Sequence, residues 1–447
     1  MESRIEIEHP ISFRWLIAFA LPTIISAIFM NVYSAVDGVF VARFVNTDAL
    51  SAINITLPIT YLITAIGMMF GSGGNALVAR KIGEGKEREA KEDFSLLIVV
   101  AFLSSILLAI LFFVFLRPIC RLLGSDDTLL PYCVEYMLPI FAVIPFTVFG
   151  SMFQMSYITV GKAKLGLGLS VLGGVLNIVL DWLFVAVFRW GLTGASVATS
   201  IGYSVPSVIG LIFFAVGRKK ILYIVKPKWR AKTLIKSCTN GASEMVSVLA
   251  FSVVTILFNH ILMGLAGSDG VAALSIIWYA QGLFGGLFRG YITGISSVVS
   301  YNFGRADKER LSKLFSISVK TIGVAALVVT VGSFLFGANV VSVFSRDNQT
   351  VQEIALHGFY IVAVSFLMMA YNVFSSGWFT ALNDGRTSAI LSFSRTIVFL
   401  VLPVLLLPRI FGINGVWLSM SAGEAMSLMM AIYYFLKYKK IWTKECA

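Results

Sequence analysis

The chain has 447 residues, 58% of them hydrophobic and only 13% charged, with a formal net charge of +12 at pH 7. Soluble domains carry about 25% charged residues. A mean hydropathy of +0.87 therefore excludes a water-soluble globule and points to an integral membrane protein.

The opening segment, MESRIEIEHPISFRW, mixes acids with bases and lacks a small-residue cleavage site, so it is expected to be retained rather than removed as a signal peptide. Apolar stretches of roughly 20–30 residues follow, each long enough to cross ~30 Å of hydrocarbon. Twelve begin near Phe13, Leu50, Phe94, Tyr132, Leu165, Gly194, Cys238, Val271, Phe315, Val351, Ala389 and Gly415. The expected fold class is all-α integral membrane.

Lysine and arginine crowd alternate loops. One side holds Arg80 to Lys91, Lys162, Lys164, Arg218 to Lys236, Arg305 to Lys313 and the tail from Lys437. The other side has little beyond Arg43, Arg117, Arg121, Arg189, Arg346 and Arg409. The asymmetry predicts a multi-pass protein of the cell (inner or plasma) membrane with both termini cytoplasmic. It also accounts for the positive charge without nucleic acid. The run RKKILYIVKPKWRAK is expected to rest on anionic headgroups.

The two halves echo each other. GNALVARKIGEGKEREAKEDF at Gly74 resembles ISSVVSYNFGRADKERLSKLF at Ile295, GLTGASVA at Gly191 resembles GINGVWLS at Gly412, and DALSAIN at Asp48 resembles GVAALSI at Gly270. All share one offset of roughly 221–222 residues, the mark of an internal duplication. Six spans separate the copies, so the repeats are parallel and related by an axis along the membrane normal. The expected organisation is a six-helix bundle over 1–217, a cytoplasmic inter-lobe loop over 218–237 and a second six-helix bundle over 238–447. Pro22, Pro58, Pro139, Pro145, Pro206 and Pro403, with the run GSGGN at Gly71, predict bent or broken spans.

Intramembrane acids are costly and usually mark ion or substrate paths. Asp37 lies in MNVYSAVDGVF of span 1, and NIVLD places Asn177 and Asp181 four apart in span 5, on one helix face. Thr199 in span 6 adds a hydroxyl. These hard oxygen donors suit a small cation such as Na⁺; alternatively the two acids titrate as a coupled pair and the ion is H⁺. The offset maps Asn177 and Asp181 onto Phe399 and Pro403, and Asp37 onto Asn259. The second half has thus lost the acids, which argues for an ion site in the first half alone.

The second half carries Glu244, Arg289, Arg395 and Glu424 in apolar context. Glu244 is expected to be shallow, near cytoplasmic water, with Arg289 and Arg395 pairing with Glu424 or Glu244. Substrate-cavity candidates are Glu244, Arg289, Met68 and Met245, methionine being an adaptable lining. Cys120 and Cys133 flank one loop: they could pair if that loop faces an oxidising space, and otherwise read as small free thiols that pack as hydrophobes. No GxxxxGK[ST], HExxH, GxSxG or His/Cys cluster is present, which leaves ATP-driven pumping and membrane hydrolysis without their parts.

VDGVF ending span 1, NxxxD in span 5, GxxGAxxAT in span 6 and SYNFG closing span 8 resemble the MATE (multidrug and toxic compound extrusion) family, in its MepA- and DinF-like branches. The resemblance spans essentially the whole chain. It implies two pseudo-symmetric six-helix bundles around a V-shaped cavity, and a monomer with no cofactor that exports amphipathic organic cations in exchange for H⁺ or Na⁺. It implies antibiotic resistance and a cation site at Asp37, Asn177, Asp181 and Thr199. Related transporters carry a deep Glu in span 7 and an Asp in span 10. Glu244 lies only just past Gly241 and span 10 shows no central acid, so no second ion site is expected. A lipid-linked oligosaccharide flippase shares the two-bundle plan but needs several cavity cations for pyrophosphate. A membrane-embedded enzyme needs a nucleophile–base set that is not visible.

Overall fold

Lipid offers backbone groups no hydrogen-bond partners, so an apolar chain of this kind must satisfy them within helices. The computed structural model describes residues 10–44, 47–123, 125, 127–216, 221–344 and 349–443, with side chains left undescribed at 31–44, 47, 48, 50, 51, 54, 249, 252, 268, 343 and 344. Every regular element among the described residues is helical, and the helices make twelve crossings.

In the first half these are α1 (Phe13–Phe44), α2 (Thr47–Met68, a π segment Met69–Gly74, then Asn75–Gly83), α3 (Glu87–Leu122), α4 (Leu130–Ala142 and Ile144–Thr159), α5 (Ala163–Asp181, continued by a π segment Trp182–Val187) and α6 (Gly191–Ala215). The second half has α7 (Ala231–Gly267) and α8 (Asp269–Gly304), which meet where Gly267 turns to φ 62°. It continues with α9 (Lys308–Phe344), α10 (Gln349–Ala363 and Ser365–Ala381), α11 (Gly385–Phe393, a π segment Ser394–Val398, then Phe399–Phe411) and α12 (Ile413–Tyr438). With an even number of crossings the chain starts and ends on one face, called here the inner face.

The duplication is written into the backbone. Both α4 and α10 are bent, by 59° at Val143 and 54° at Val364, positions related by the repeat offset. The loop turns pair in the same way: positive φ recurs at Gly85 and Ala306, at Gly161 and Asn383, and at Gly191 and Gly412. Helical hydrogen bonding continues through Pro22 in α1 and Pro58 in α2. The GSGGN run instead becomes a π segment, where one extra residue per turn re-aims the chain.

Two apolar cores form, one in each half. The inner ends of the leading spans cross over, however. Leu16, Phe19 and Ala20 of α1 belong to the second core, while Leu234 and Cys238 of α7 pack on the first. Glycine makes this exchange possible. A Cβ at Gly73 of α2 would lie 2.1 Å from Ser237 O, and one at Gly241 of α7 would lie 2.0 Å from Met69 O. The repeat-related contact is Gly294 of α8, whose Cβ would lie 2.9 Å from Ala20 Cα and 2.4 Å from Thr23 Oγ1. At the inner rim a Cβ on Gly83 would meet Tyr301 O at 2.1 Å, and one on Gly304 would meet Arg80 O at 2.1 Å. Arg80 also lies over the Phe303 ring and donates to Glu84 at 2.9 Å. Burial alone would raise the Glu84 pKa, but hydrogen bonds from Lys86 and Arg80 outweigh it and hold the carboxyl below its ordinary value.

The connection between the halves is strapped onto the first one. Val225 N donates to Ser95 Oγ at 2.8 Å, and Lys91 Nζ sits 4.7 Å from the centre of the Tyr223 ring. Arg230 reaches Asp93 Oδ1 at 2.7 Å and Glu92 Oε2 at 2.6 Å, and Lys81 joins Asp93 from α2. Asp93 is completely buried, and two cations and the Thr233 hydroxyl satisfy its oxygens. Part of the run expected on headgroups is therefore occupied within the protein, although Lys226 and Lys228 remain exposed.

Two outcomes follow for stability. Gly83→Ala and Gly304→Ala should each lower the thermal midpoint by an amount equivalent to ~1–3 kcal/mol, the usual cost of overpacking, and the double variant should fall short of the sum because both alter one contact. Arg230→Ala should cost at least ~3 kcal/mol by leaving Asp93 short of a partner. Arg88→Ala, which breaks only the exposed Arg88–Glu92 pair, should cost less than ~1 kcal/mol. Thermal unfolding in detergent measures all five variants.

Candidate functional site

Small residues decide where α5 meets α6. A Cβ at Gly173 would lie 2.6 Å from Gly202 O, and one at Gly202 would lie 3.1 Å from Asn177 Cβ. Glycine pairs of this kind let two membrane helices approach closely. The approach brings Asn177 Nδ2 to Thr199 Oγ1 at 3.3 Å, while the amide oxygen Oδ1 is left without a hydrogen bond. One turn further along, Asp181 closes the regular part of α5 with no solvent exposure at all. Three of the four predicted ion-site residues thus lie on two adjoining spans. The fourth, Asp37, falls in α1 among residues whose side chains are outside the described set.

In the second half the corresponding crossing is α11 with α12. There a Cβ at Gly423 would meet Phe399 O at 2.5 Å. Next to it the π segment turns Arg395 toward Glu424, which it grips with two nitrogens, Nη2 at 2.7 Å and Nε at 3.0 Å from Oε1. Asn372 of α10, absent from the expectations, donates to Glu424 Oε2 at 2.6 Å and to its backbone oxygen at 2.8 Å. An Asn in an apolar run facing an acid was the available signal. Where the first half holds a buried carboxylate with amide and hydroxyl oxygens, the second holds a permanent ion pair.

Glu244 corrects the expectation of a shallow position. α7 begins at Ala231, well before the apolar run, because Thr233 and Ser237 are buried on its inner turns. Glu244 is therefore about 13 residues, or roughly 20 Å, into the helix, and its electrostatic partner is Arg289 of α8. Arg289 does not pair with Glu424 either: among the described residues it makes no ion pair within 4 Å, and the charges acting on it are Glu244 and Arg395. Its side chain is exposed in the structure. Met68 and Met245 are half-buried, whereas Met369 is buried in the second core. Cys120 and Cys133 are buried free thiols close enough to hydrogen-bond.

The model of the MatE family matches this chain twice, over residues 22–183 and again over 244–405, one match per half and together more than half its length. The chain belongs to the MatE family. It is a transporter, not an enzyme. Among curated MatE relatives, the multidrug export protein MepA of Staphylococcus saprophyticus is 23% identical over 428 residues, covering 94% of this chain and 93% of its own. MepA of Staphylococcus aureus strain MRSA252 is 24% identical over 432 residues, covering 95% and 94%. The MatE fold is equally plain in solved structures. A MATE transporter in complex with MaL6 superimposes with a TM-score of 0.92 at 20% identity over 99% of both chains. A multidrug resistance MATE transporter in its outward-facing conformation gives 0.89 at 21% identity, over 95% of this chain and 96% of that one.

The second-half ion pair generates a test. Arg395→Leu should destabilise the protein by ~3 kcal/mol or more by leaving Glu424 uncompensated, whereas Arg395→Leu combined with Glu424→Leu should recover much of the loss. Comparing thermal midpoints of the single and double variants measures the difference.

Proposed function

We propose that this MatE transporter is a secondary antiporter that exports amphipathic organic cations across the cell membrane in exchange for H⁺ or Na⁺. The observation that carries the reading is Asp181, fully buried in an apolar span one turn from the Asn177–Thr199 contact. A carboxylate there costs at least ~2.5–3.5 kcal/mol on insertion scales, and a small cation or proton offsets that cost when it arrives. Asp37, Asn177, Asp181 and Thr199 form the coupling site, with Asp37 contributed by α1. The MepA relatives, both called multidrug export proteins, support the substrate class.

The inner seam is closed by backbone-to-backbone contact. In this reading the substrate path opens on the outer face, and with the basic loops in the cytoplasm that face is extracellular. Ion entry from outside discharges the acids and weakens the hold on a cationic substrate. Exchange follows if ion and substrate compete for one charge or one conformation. The flippase reading is weakened because Arg395 is already committed to Glu424, leaving Arg289 to face a pyrophosphate without it.

In proteoliposomes Asp181→Asn and Asp37→Asn should each reduce gradient-driven efflux of a cationic dye by about tenfold or more, an asparagine being unable to change charge. Wild-type efflux driven by a pH gradient alone, or by a Na⁺ gradient alone, identifies the ion. Unchanged efflux and coupling in both variants would end this reading.

A further inference from the structure

The strap between the halves has two sides of opposite character. Toward the protein, Leu222 is fully buried, Ile224 N donates to Phe214 O at 2.8 Å, and Arg230 reaches in to Glu92 and Asp93. Its neighbours Lys226, Lys228 and Trp229 are exposed instead. The Trp229 indole is 71% exposed, too much for a packing residue.

The first turns of α7 continue the division. Thr233, Ser237 and Asn240, spaced four and three apart, are buried, while Lys232, Ile235, Lys236 and Thr239 form an exposed face. Ile235 is 66% exposed between its two lysines. Among the described residues none of Lys226, Lys228, Lys232 and Lys236 makes an ion pair within 4 Å, and the acids of the strap are held by Arg230 and Lys81. No side chain caps the start of α7 and its first turn carries no acid, so the positive end of the helix dipole adds to the four charges. The other half repeats the motif on a smaller scale: Phe13 and Arg14, which precede Ile235 and Lys236 by the repeat offset, are both exposed at the start of α1.

Four bases set beside a bare indole and a bare branched side chain suit neither lipid tails nor open water. They suit the boundary between the two, where lysine lays its stem on apolar surface and reaches out with its charge, and tryptophan sits at headgroup level. The basic run Arg218 to Lys232 thus resolves into a defined face that excludes Arg230 and takes in Ile235 and Lys236. We propose that this face is a binding site for the phosphate headgroup of an anionic phospholipid in the leaflet at the inner face, with Trp229 and Ile235 against the upper part of its acyl chains. Because Arg230 and Thr233 tie the same segment to Asp93, a lipid held here braces the strap against the first half. The site is independent of which solute or ion the transporter moves.

The test titrates the full-length detergent-solubilised chain with short-chain phosphatidylglycerol, phosphatidylcholine of the same chains, or inorganic phosphate, and reads the rise in thermal midpoint, since a ligand of the folded state stabilises it. Wild type should bind phosphatidylglycerol at least about tenfold more tightly than phosphatidylcholine, a modest return for four lysines near a headgroup, and the preference should shrink as salt rises. Replacing Lys226, Lys228, Lys232 and Lys236 together by Gln should lower that preference by about tenfold or more. Replacing the equally exposed Lys162, Lys164, Lys313 and Lys439 by Gln removes the same charge from the same face and should leave the preference in place. Trp229→Ser should weaken both lipids alike. Equal binding of the two lipids by wild type overturns the proposal whether or not any variant folds, and so does a preference that survives in the first fourfold variant or falls equally in the second. Inorganic phosphate that stabilises wild type as strongly as phosphatidylglycerol at equal concentration also overturns it, because the site is then one for free phosphate.

Discussion

The closed seam at the inner face is the constraint on which the rest of the arrangement depends. Two helices can bring their backbones into contact where at least one of them lacks a Cβ at the crossing, and Gly73, Gly83, Gly241, Gly294 and Gly304 supply that condition. The Thr159 hydroxyl of α4 adds a polar tie to Ser297 of α8 at 2.8 Å. Because the halves are this close at one face, the polar residues at mid-depth line the interior of the molecule and not a lipid boundary.

Two helix crossings of shared ancestry have taken different electrostatic courses. At α5–α6 the polar set is an acid, an amide and a hydroxyl; at α11–α12 it is a guanidinium locked to a carboxylate. The locked pair cannot trade its charge for a passing ion without exposing its partner, so it belongs to the scaffold. The set at α5–α6 holds hard oxygens and is the proposed coupling site. Duplication thus provided two equivalent positions, which now carry different polar sets.

The twelve spans and the repeat were legible because lipid imposes them: apolar length marks each crossing, and one offset relates the loops. The bends at Val143 and Val364 were hinted at only through Pro145, since the second copy has no proline at the matching place. Ala306 and Asn383 hold positive φ where the first copy has glycine, so turn geometry outlasted the residue that first suited it. Asp181 stood out as an acid in an apolar span, Asn177 by its spacing from it and Thr199 as a hydroxyl in the next span, and the structure brings the Asn177 amide to the Thr199 hydroxyl. The depth of Glu244 was misjudged because polar residues at the start of α7 looked like loop, when they are buried against the other half. The Lys81–Asp93–Arg230 network was invisible because its members are far apart in the chain and ordinary for a charged loop.

The crossing-over of the leading spans bears on how the molecule moves. Leu16, Phe19 and Ala20 are packed into the core of the opposite half, and Leu234 with Cys238 return the arrangement. Close-packed interiors do not stretch. Parting the inner face must therefore either extract these segments from their hosts or leave them behind by flexing α1 and α7 along their length. The mechanical bodies of the transport cycle are consequently not the two gene-level repeats, and their borders run through the middle of those two helices.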